Sequence, residues 1–240
     1  IADEERPLDE KRRLLDQTRN KLAWGHNGAA PDPVFTALMD TADTFDISTG
    51  LLEEVIDGVE MDLTQQRYDT FEALRTYCYR VASAVGLICI EVFGYQDPRA
   101  KEYAIDLGMA MQLTNIIRDL QEDAERDRIY LPQDEMRRFG YTEEQLRAGI
   151  IDEHFLELMR FQAARARSYF DSGARLLPLL TPRSRGCAAG LHHLYSRLLD
   201  RIERRGFDVF SGRVTLPAWE KLRLTFTLWA SSLIPRRQPS

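Results

Sequence analysis

The chain has 240 residues and 44% hydrophobic content, enough for one large domain with a real core, or at most two small ones. A formal net charge of −6 argues against a general nucleic-acid binder. Lys and Arg still number 32, most of them Arg, so a local basic pocket with planar phosphate-recognising forks is not excluded.

Apolar periodicity is helical almost throughout, and no strand-turn-strand pattern stands out. Residues 8–24 alternate apolar and charged positions at helical spacing, with Pro7 placed to start the helix. GHNGAAPDP (25–33) reads as a loop. A helix follows from Val34 to Thr44, and DIST (46–49) signals the next, continuing from Leu51 to Gly58. Residues 70–93 read as one long, mostly apolar helix. Its small residues Ala82, Ser83, Ala84 and Gly86 allow close helix packing, or leave room for an apolar ligand. GYQDP (94–98) is a turn. The segment 101–132 reads as a helix running through Asp123 and ending near Pro132.

Beyond it, residues 131–149 read as a loop and a short helix capped by Thr142, with Glu144 and Gln145 in the first turn. Residues 152–177 form an Arg-rich amphipathic helix, TPRSRG (181–186) a break, and Cys187 to Arg204 a further helix. GFDVFSGRVTLP (206–217) is a loop, and Pro217 to Leu233 a last helix. Its apolar run 224–234 is too short to span a bilayer and reads as a core helix. The expectation is an all-α single domain of about eight or more helices.

The segment 101–132 carries the chemistry. Asn115, Asp119, Glu122 and Asp123 sit at i, i+4, i+7 and i+8, on one helical face with Gly108, Met111 and Gln112. Ala110, Leu113, Ile117 and Leu120 fall opposite, as a packing stripe. A solvated acidic face is the ordinary alternative. Against it, Gln, Thr and Asn are unusual mid-helix choices. Like charges one turn apart also need neutralising, and Arg118, Arg126 and Arg128 lie close by. Converging carboxylates without Cys or His make an oxygen-only site, which suits Mg²⁺ and, with it, substrate phosphates. The four histidines offer no Glu-x-x-His pair, which weakens a di-iron reading. Cys78, Cys89 and Cys187 form no metal pattern, and such sparse cysteine use fits a reducing cytosol.

QLTNIIRDLQEDAERDRIYLP (112–132) closely resembles the second aspartate-rich signature of the squalene/phytoene synthase family. YCYRVASAVG (77–86) resembles the other signature, GVEMDL (58–63) the segment before it, and FDVFSGRVTLP (207–217) the C-terminal region. The resemblance covers nearly the whole chain and implies one domain over 1–240 with the isoprenoid synthase fold, a helical bundle around a central cavity. It implies a transferase that joins two allylic prenyl diphosphates head to head. Loss of one diphosphate gives an allylic cation, the double bond of the second substrate captures it, and a cyclopropylcarbinyl diphosphate results. The substrates are farnesyl (C15) or geranylgeranyl (C20) diphosphate, and the product is squalene-type or phytoene. VASAVG resembles the C15 branch slightly more.

By resemblance, Asp119 and Asp123 hold Mg²⁺ (Mn²⁺ as an alternative), with Asn115 as a further ligand and Asp3 from the facing wall. Gln112 and Asn115 orient phosphate oxygens or metal waters, and Arg118 and Arg213 donate to diphosphate. Tyr77 and Tyr195 match tyrosines that line the pocket, where aromatic faces stabilise a passing cation; ordinary core packing is their bland alternative. Ala82 and Gly86 leave space for the prenyl tail. NADPH is needed only for a reduced squalene product. The expected location is cytoplasmic with peripheral membrane contact.

The family's first aspartate-rich motif reads like Asp-Asp-Ile-Ala-Asp-Glu, and this chain begins Ile1-Ala2-Asp3-Glu4. The earlier aspartates and the helix before them would lie upstream, and the polypeptide as given is expected to have little activity. Two rival readings share the helical pattern: a class I terpene cyclase acting on one substrate, and a helical interaction protein with a decayed site.

Overall fold

The computed structural model describes residues 6–26 and 32–217. The expected last helix, the apolar run 224–234, most of the 25–33 loop and Asp3 lie outside the described residues. Within them the chain is all-α, with two isolated bridges, Arg67–Ile129 and Tyr95–Leu180, and no strand.

Three helices come first: α1 (Leu8–His26), α2 (Pro33–Thr44) and α3 (Thr49–Thr64). Asp32 caps α2 by accepting from the Val34 amide at 2.9 Å, and Pro33 sits at the tolerated first position. These helices enclose a small cluster of Leu15, Leu22, Met39, Ala42, Ile47 and Ile56. The Arg19 guanidinium ties α1 to α3 through Asp57 and Glu60.

The expected long helix over 70–93 is continuous in path but not uniform. It runs as α4 (Phe71–Cys78), a π-helical turn (Tyr79–Ser83) and α5 (Ala84–Phe93). Thr70 caps its start, and Gly94, at φ +73°, ends it. The π turn is where α6 (Ala100–Arg118) crosses closest. A Cβ on Gly108 of α6 would meet Ser83 Cα at 2.7 Å, Ser83 N at 2.9 Å and the Ala82 carbonyl carbon at 3.0 Å. Only a residue without Cβ permits that approach. Further along, Gly86 lies against the Ala104 carbonyl, 3.1 Å from where its Cβ would stand. The pairing of 83 with 108 and 86 with 104 makes α5 and α6 antiparallel.

α6 is the central helix. Ala104, Leu107, Gly108, Met109, Ala110, Leu113, Ile116 and Ile117 are buried along it, and the stripe of Ala110, Leu113, Ile117 and Leu120 is buried as expected. Its other long neighbour is α10 (Glu153–Gly173), whose Gly173 would place a Cβ 2.9 Å from Leu107 Cα.

Several expected boundaries differ: α3 runs past Gly58 to Thr64, and α10 ends at Gly173 instead of reaching residue 177. The helix through Asp123 breaks at Asp119 (φ −102°, ψ 16°) into α6 and α7 (Leu120–Glu125). Two short helices, α8 (Gln133–Arg138) and α9 (Glu143–Arg147), replace the single one over 131–149; the Thr142–Gln145 capping box on α9 is present. TPRSRG is no break: α11 runs Pro182–Arg204. Proline at N1 starts a helix as readily as it stops one, and the real interruption is a 3₁₀ segment (Ala174–Leu179) before it.

Residues 206–217 carry no helix, as expected, but are anchored by buried Phe207, Val209, Val214 and Leu216. Between α8 and α10 sits a buried ion pair: Arg165 on Glu135, with Gln162 Nε2 donating to Glu135 Oε2 at 2.6 Å. The Arg165 guanidinium lies 3.8 Å above the Phe71 ring.

Candidate active site

A cleft of about 350 Å³ opens between α5, α6 and α11. Its walls are almost wholly apolar. The π turn and α5 supply Val81, Ala82, Val85, Gly86, Cys89, Ile90 and Phe93. Across from them stand Ala104, Leu107, Gly108 and Met111. Ala82 and Gly86 thus stand where a prenyl tail was expected to need room. The same glycines that bring the backbones together keep the wall free of side chains. α6 also contributes the cleft's two polar side chains, Gln112 and Asn115.

At that end the Asn115 Nδ2 donates to Gln112 Oε1 at 3.4 Å, while Asn115 Oδ1 is buried without a partner. A buried acceptor left unpaired is costly, and a cation or ligand bound here would satisfy it. One turn further on lies Asp119. The break there does not scatter the stripe: Asp119 N donates to Asn115 O and Asp123 N to Asp119 O, each at 2.9 Å. Asn115, Asp119 and Asp123 therefore stay on consecutive turns of one face.

Asp119 pairs with two arginines. Arg118 donates through Nε to Oδ1 at 2.7 Å and through its second nitrogen to Oδ2. Arg213, from the 206–217 loop, places Nε 3.3 Å from Oδ1. Arg213 Nε also lies 3.6 Å from Glu122 Oε1, which places Glu122 at the solvent-exposed rim of the site. Asp123 is pushed up to about 7, first by burial and then by the negative charge of Asp119. Among the described residues no three Asp, Glu, His or Cys side chains converge on one point. The described wall supplies two carboxylates and the orphaned amide oxygen of Asn115. That set is all oxygen and fits a hard divalent cation better than a soft one.

Tyr77 and Tyr195 are not among the cleft's lining residues. Tyr77 is buried, its ring stacked on Tyr130 at 5.0 Å and tilted against Tyr68 at 5.5 Å, and its hydroxyl donates to the Tyr130 hydroxyl at 3.3 Å. Tyr195 is half-buried on α11 and packed against the main core. Asp62 was missed by sequence reasoning. It accepts from Tyr130 Oη at 2.9 Å, and its backbone oxygen accepts from Arg128 at 3.1 Å. It ties α3 to the segment behind Asp123. The signal was available, since Asp62 stands inside GVEMDL.

The family model described as squalene/phytoene synthase matches residues 1–220. The chain belongs to the squalene/phytoene synthase family. It is 41% identical over 221 residues to the phytoene synthase of Arthrospira platensis, covering 87% of this chain and 72% of that protein. It is 40% identical over 220 residues to the 15-cis-phytoene synthase of Synechococcus elongatus, covering 87% and 71%. Among solved structures it resembles a dehydrosqualene synthase in complex with ligand, with a TM-score of 0.84, 28% identity, and 92% and 79% of the two chains covered. A squalene synthase from Alicyclobacillus acidocaldarius gives a TM-score of 0.79 at 28% identity, covering 82% and 75%. The fold is the all-α isoprenoid synthase bundle, and the chain is a prenyltransferase of the head-to-head type. The family match favours this reading over a single-substrate terpene cyclase. The names divide between the C20 and C15 branches, so the slight lean to C15 is left undecided.

Proposed function

We propose that this chain joins two C20 prenyl diphosphates head to head to give phytoene, using Mg²⁺ held by Asn115, Asp119 and Asp123, with Asp3 as a further ligand. The observation that carries the reading is the apolar cleft ending at the unpartnered Asn115 oxygen one turn from Asp119. An apolar tail and an anionic head need those two surfaces in contact. The C20 choice rests on relatives named phytoene synthase at 34 to 41% identity, against the weaker VASAVG resemblance to the C15 branch.

When bound, the divalent cation neutralises the leaving diphosphate and stabilises the charge that develops on it. The protein's own groups do the rest. Arg118 and Arg213, now on Asp119, are placed to turn their forks toward diphosphate oxygens once a cation occupies the carboxylates. Gln112 orients a phosphate oxygen or a metal-bound water. The apolar wall of Ala82, Gly86, Leu107 and Met111 keeps water from an allylic cation, which would otherwise be captured as an alcohol. Tyr77, buried and stacked on Tyr130, is assigned a positioning role.

The proposal includes peripheral contact with a membrane; a lipid product and exposed Val85, Val92 and Leu191 support it. Residues Phe71–Phe93 are long and apolar enough to cross a bilayer, and one side of the segment packs against α3 and α6. The test is incubation of the full-length protein with C15 and C20 diphosphates, with and without NADPH, in Mg²⁺ or in EDTA, followed by product analysis. Phytoene from C20 substrate, abolished by EDTA and indifferent to NADPH, is expected. Turnover of C15 alone, or equal turnover in EDTA, refutes the proposal.

A further inference from the structure

The cleft has two unlike ends. Its polar end is Gln112 and Asn115 on α6. From Asn115 down to Ala104 is about 16 Å at the helical rise of 1.5 Å per residue. Ala104 faces Gly86, and α5 continues past Gly86 for about 10 Å more before it ends at Phe93. The far end is therefore built by the last turns of α5 and the first turns of α11. Phe93 and Cys89 come from the former, Cys187 and Ala188 from the latter, and Leu176 fills in from the 3₁₀ segment.

This end is held in place. The Thr181 and Ser184 hydroxyls both donate to the Phe93 carbonyl, at 2.9 and 2.7 Å, pinning the start of α11 to the end of α5. Thr181 N also donates to the Gly94 carbonyl at 3.1 Å. Both thiols line this end of the cleft; Cys89 is half-buried and its thiol is pushed up by burial and, secondarily, by Cys187, which is exposed. Elsewhere the cleft walls carry small residues at Ala82, Gly86, Ala104 and Gly108. A ring appears only at Phe93, where the run of small side chains stops.

We propose that Phe93, flanked by Cys89 and Cys187, is the stop against which the terminal isoprene unit rests, and that the bulk of these three side chains fixes the chain length accepted. The inference rests on the cleft being the prenyl site. A four-unit tail is one third longer than a three-unit tail. The difference must be accommodated at the end away from the diphosphate, because the head is fixed at Asn115 and Asp119. The thiols add a consequence: a tail that reaches the stop covers them, and a shorter one leaves them open.

The test uses the full chain with Mg²⁺ and C15, C20 or C25 prenyl diphosphates supplied separately. Phe93→Ala is expected to raise turnover of C25 relative to C20 by about tenfold or more, and Cys187→Phe to lower C20 relative to C15 by a similar factor, the discrimination that small changes in an apolar pocket give. Cys187 is exposed, so its enlargement leaves the fold intact even if Phe93→Ala is poorly folded. In parallel, maleimide labelling of Cys187 is followed in the Cys89→Ser background. A non-hydrolysable C20 diphosphate is expected to slow it at least fivefold, and a C10 diphosphate to leave it unchanged. Wild-type ratios in both variants, or equal protection by C10 and C20, overturn the inference while leaving the prenyl reading standing. No binding of any prenyl diphosphate overturns both.

Discussion

Gly108→Ala tests the arrangement on which the cleft depends. In an isolated helix this change stabilises by about 1 kcal/mol, because glycine gives up more backbone entropy on folding. Here the new Cβ would stand 2.7, 2.9 and 3.0 Å from Ser83 Cα, Ser83 N and the Ala82 carbonyl carbon. All three are backbone atoms, so no rotamer change relieves the contact, and α6 must move away from the π turn. Overpacking of this kind costs about 1–3 kcal/mol, with the upper end apt where only backbone can yield. The net expectation is a loss of about 1–2 kcal/mol, a fall in Tm of about 2–8 °C for a chain of this size. Gly186→Ala is the control: it also lies within a helix, α11, but nothing stands within 4 Å of its added Cβ. It should gain up to about 1 kcal/mol from propensity alone. The assay is thermal unfolding of both variants beside wild type. The KM for prenyl diphosphate should rise in Gly108→Ala alone, because the cleft wall moves with α6. A Gly108→Ala protein as stable as Gly186→Ala would refute the close backbone crossing and the account of the cleft built on it.

The buried pair predicts a contrast in urea unfolding. Glu135→Ala strands the Arg165 guanidinium and should cost about 3–5 kcal/mol, whereas Glu72→Ala, whose partner Arg75 is exposed on α4, should cost less than about 1 kcal/mol; equal costs would show that Arg165 finds water. His192 is held below its ordinary pKa, chiefly by burial, although Phe170 O offers it an acceptor at 3.2 Å. The unfolded state then binds more protons just below pH 6.5, so wild-type stability should fall as pH drops through that value. His192→Phe should flatten that part of the Tm–pH curve, and an unchanged slope would remove His192 from the account. Arg213→Ala, at the site's exposed side, should raise the KM for prenyl diphosphate about tenfold or more, in keeping with a charge-assisted phosphate contact, while shifting Tm by little. A Tm loss with unchanged KM would make Arg213 a structural tie between the 206–217 loop and α6.

The sequence displayed the fold class and most of the candidate polar site because both rest on local periodicity. A stripe with a spacing of four residues is legible without any tertiary information, and Asn115, Asp119 and Asp123 were found that way. What stayed hidden depends on partners distant in sequence. Asp62 reads as one more acid on an amphipathic helix until Tyr130 and Arg128 are brought to it. Nothing local to Tyr77 shows that its ring packs on Tyr68 and Tyr130. Pro182 looks like punctuation in TPRSRG, because proline begins and ends helices with the same local signature. Only the Thr181 and Ser184 bonds to Phe93 show that a helix starts there.

The two departures from regular helix have a common logic. The π turn at Tyr79–Ser83 and the break at Asp119 are both places where local propensity is overruled, and they stand at the two surfaces a prenyl diphosphate requires. A regular α4–α5 helix keeps its residues in strict register; one extra residue in the turn resets that register beside Gly108. Ala82 can then face the cleft while Ser83 is turned inward, its hydroxyl donating to the Ile105 carbonyl at 2.8 Å. A regular helix through Asp119 would carry Asp123 on as part of a straight rod. The break relaxes the backbone at Asp119 while the bonds from Asp119 N and Asp123 N keep the carboxylates on successive turns. Local rules fail where function needs geometry that a straight helix cannot supply. Restoring regularity at either place should therefore harm binding more than stability. Deleting one residue of the π turn, Val81 or Ala82, would convert it to α-helix. That deletion should preserve helicity by circular dichroism while weakening C20 diphosphate binding at least tenfold. Intact binding in a deletion variant would show that the π turn is incidental to the cleft.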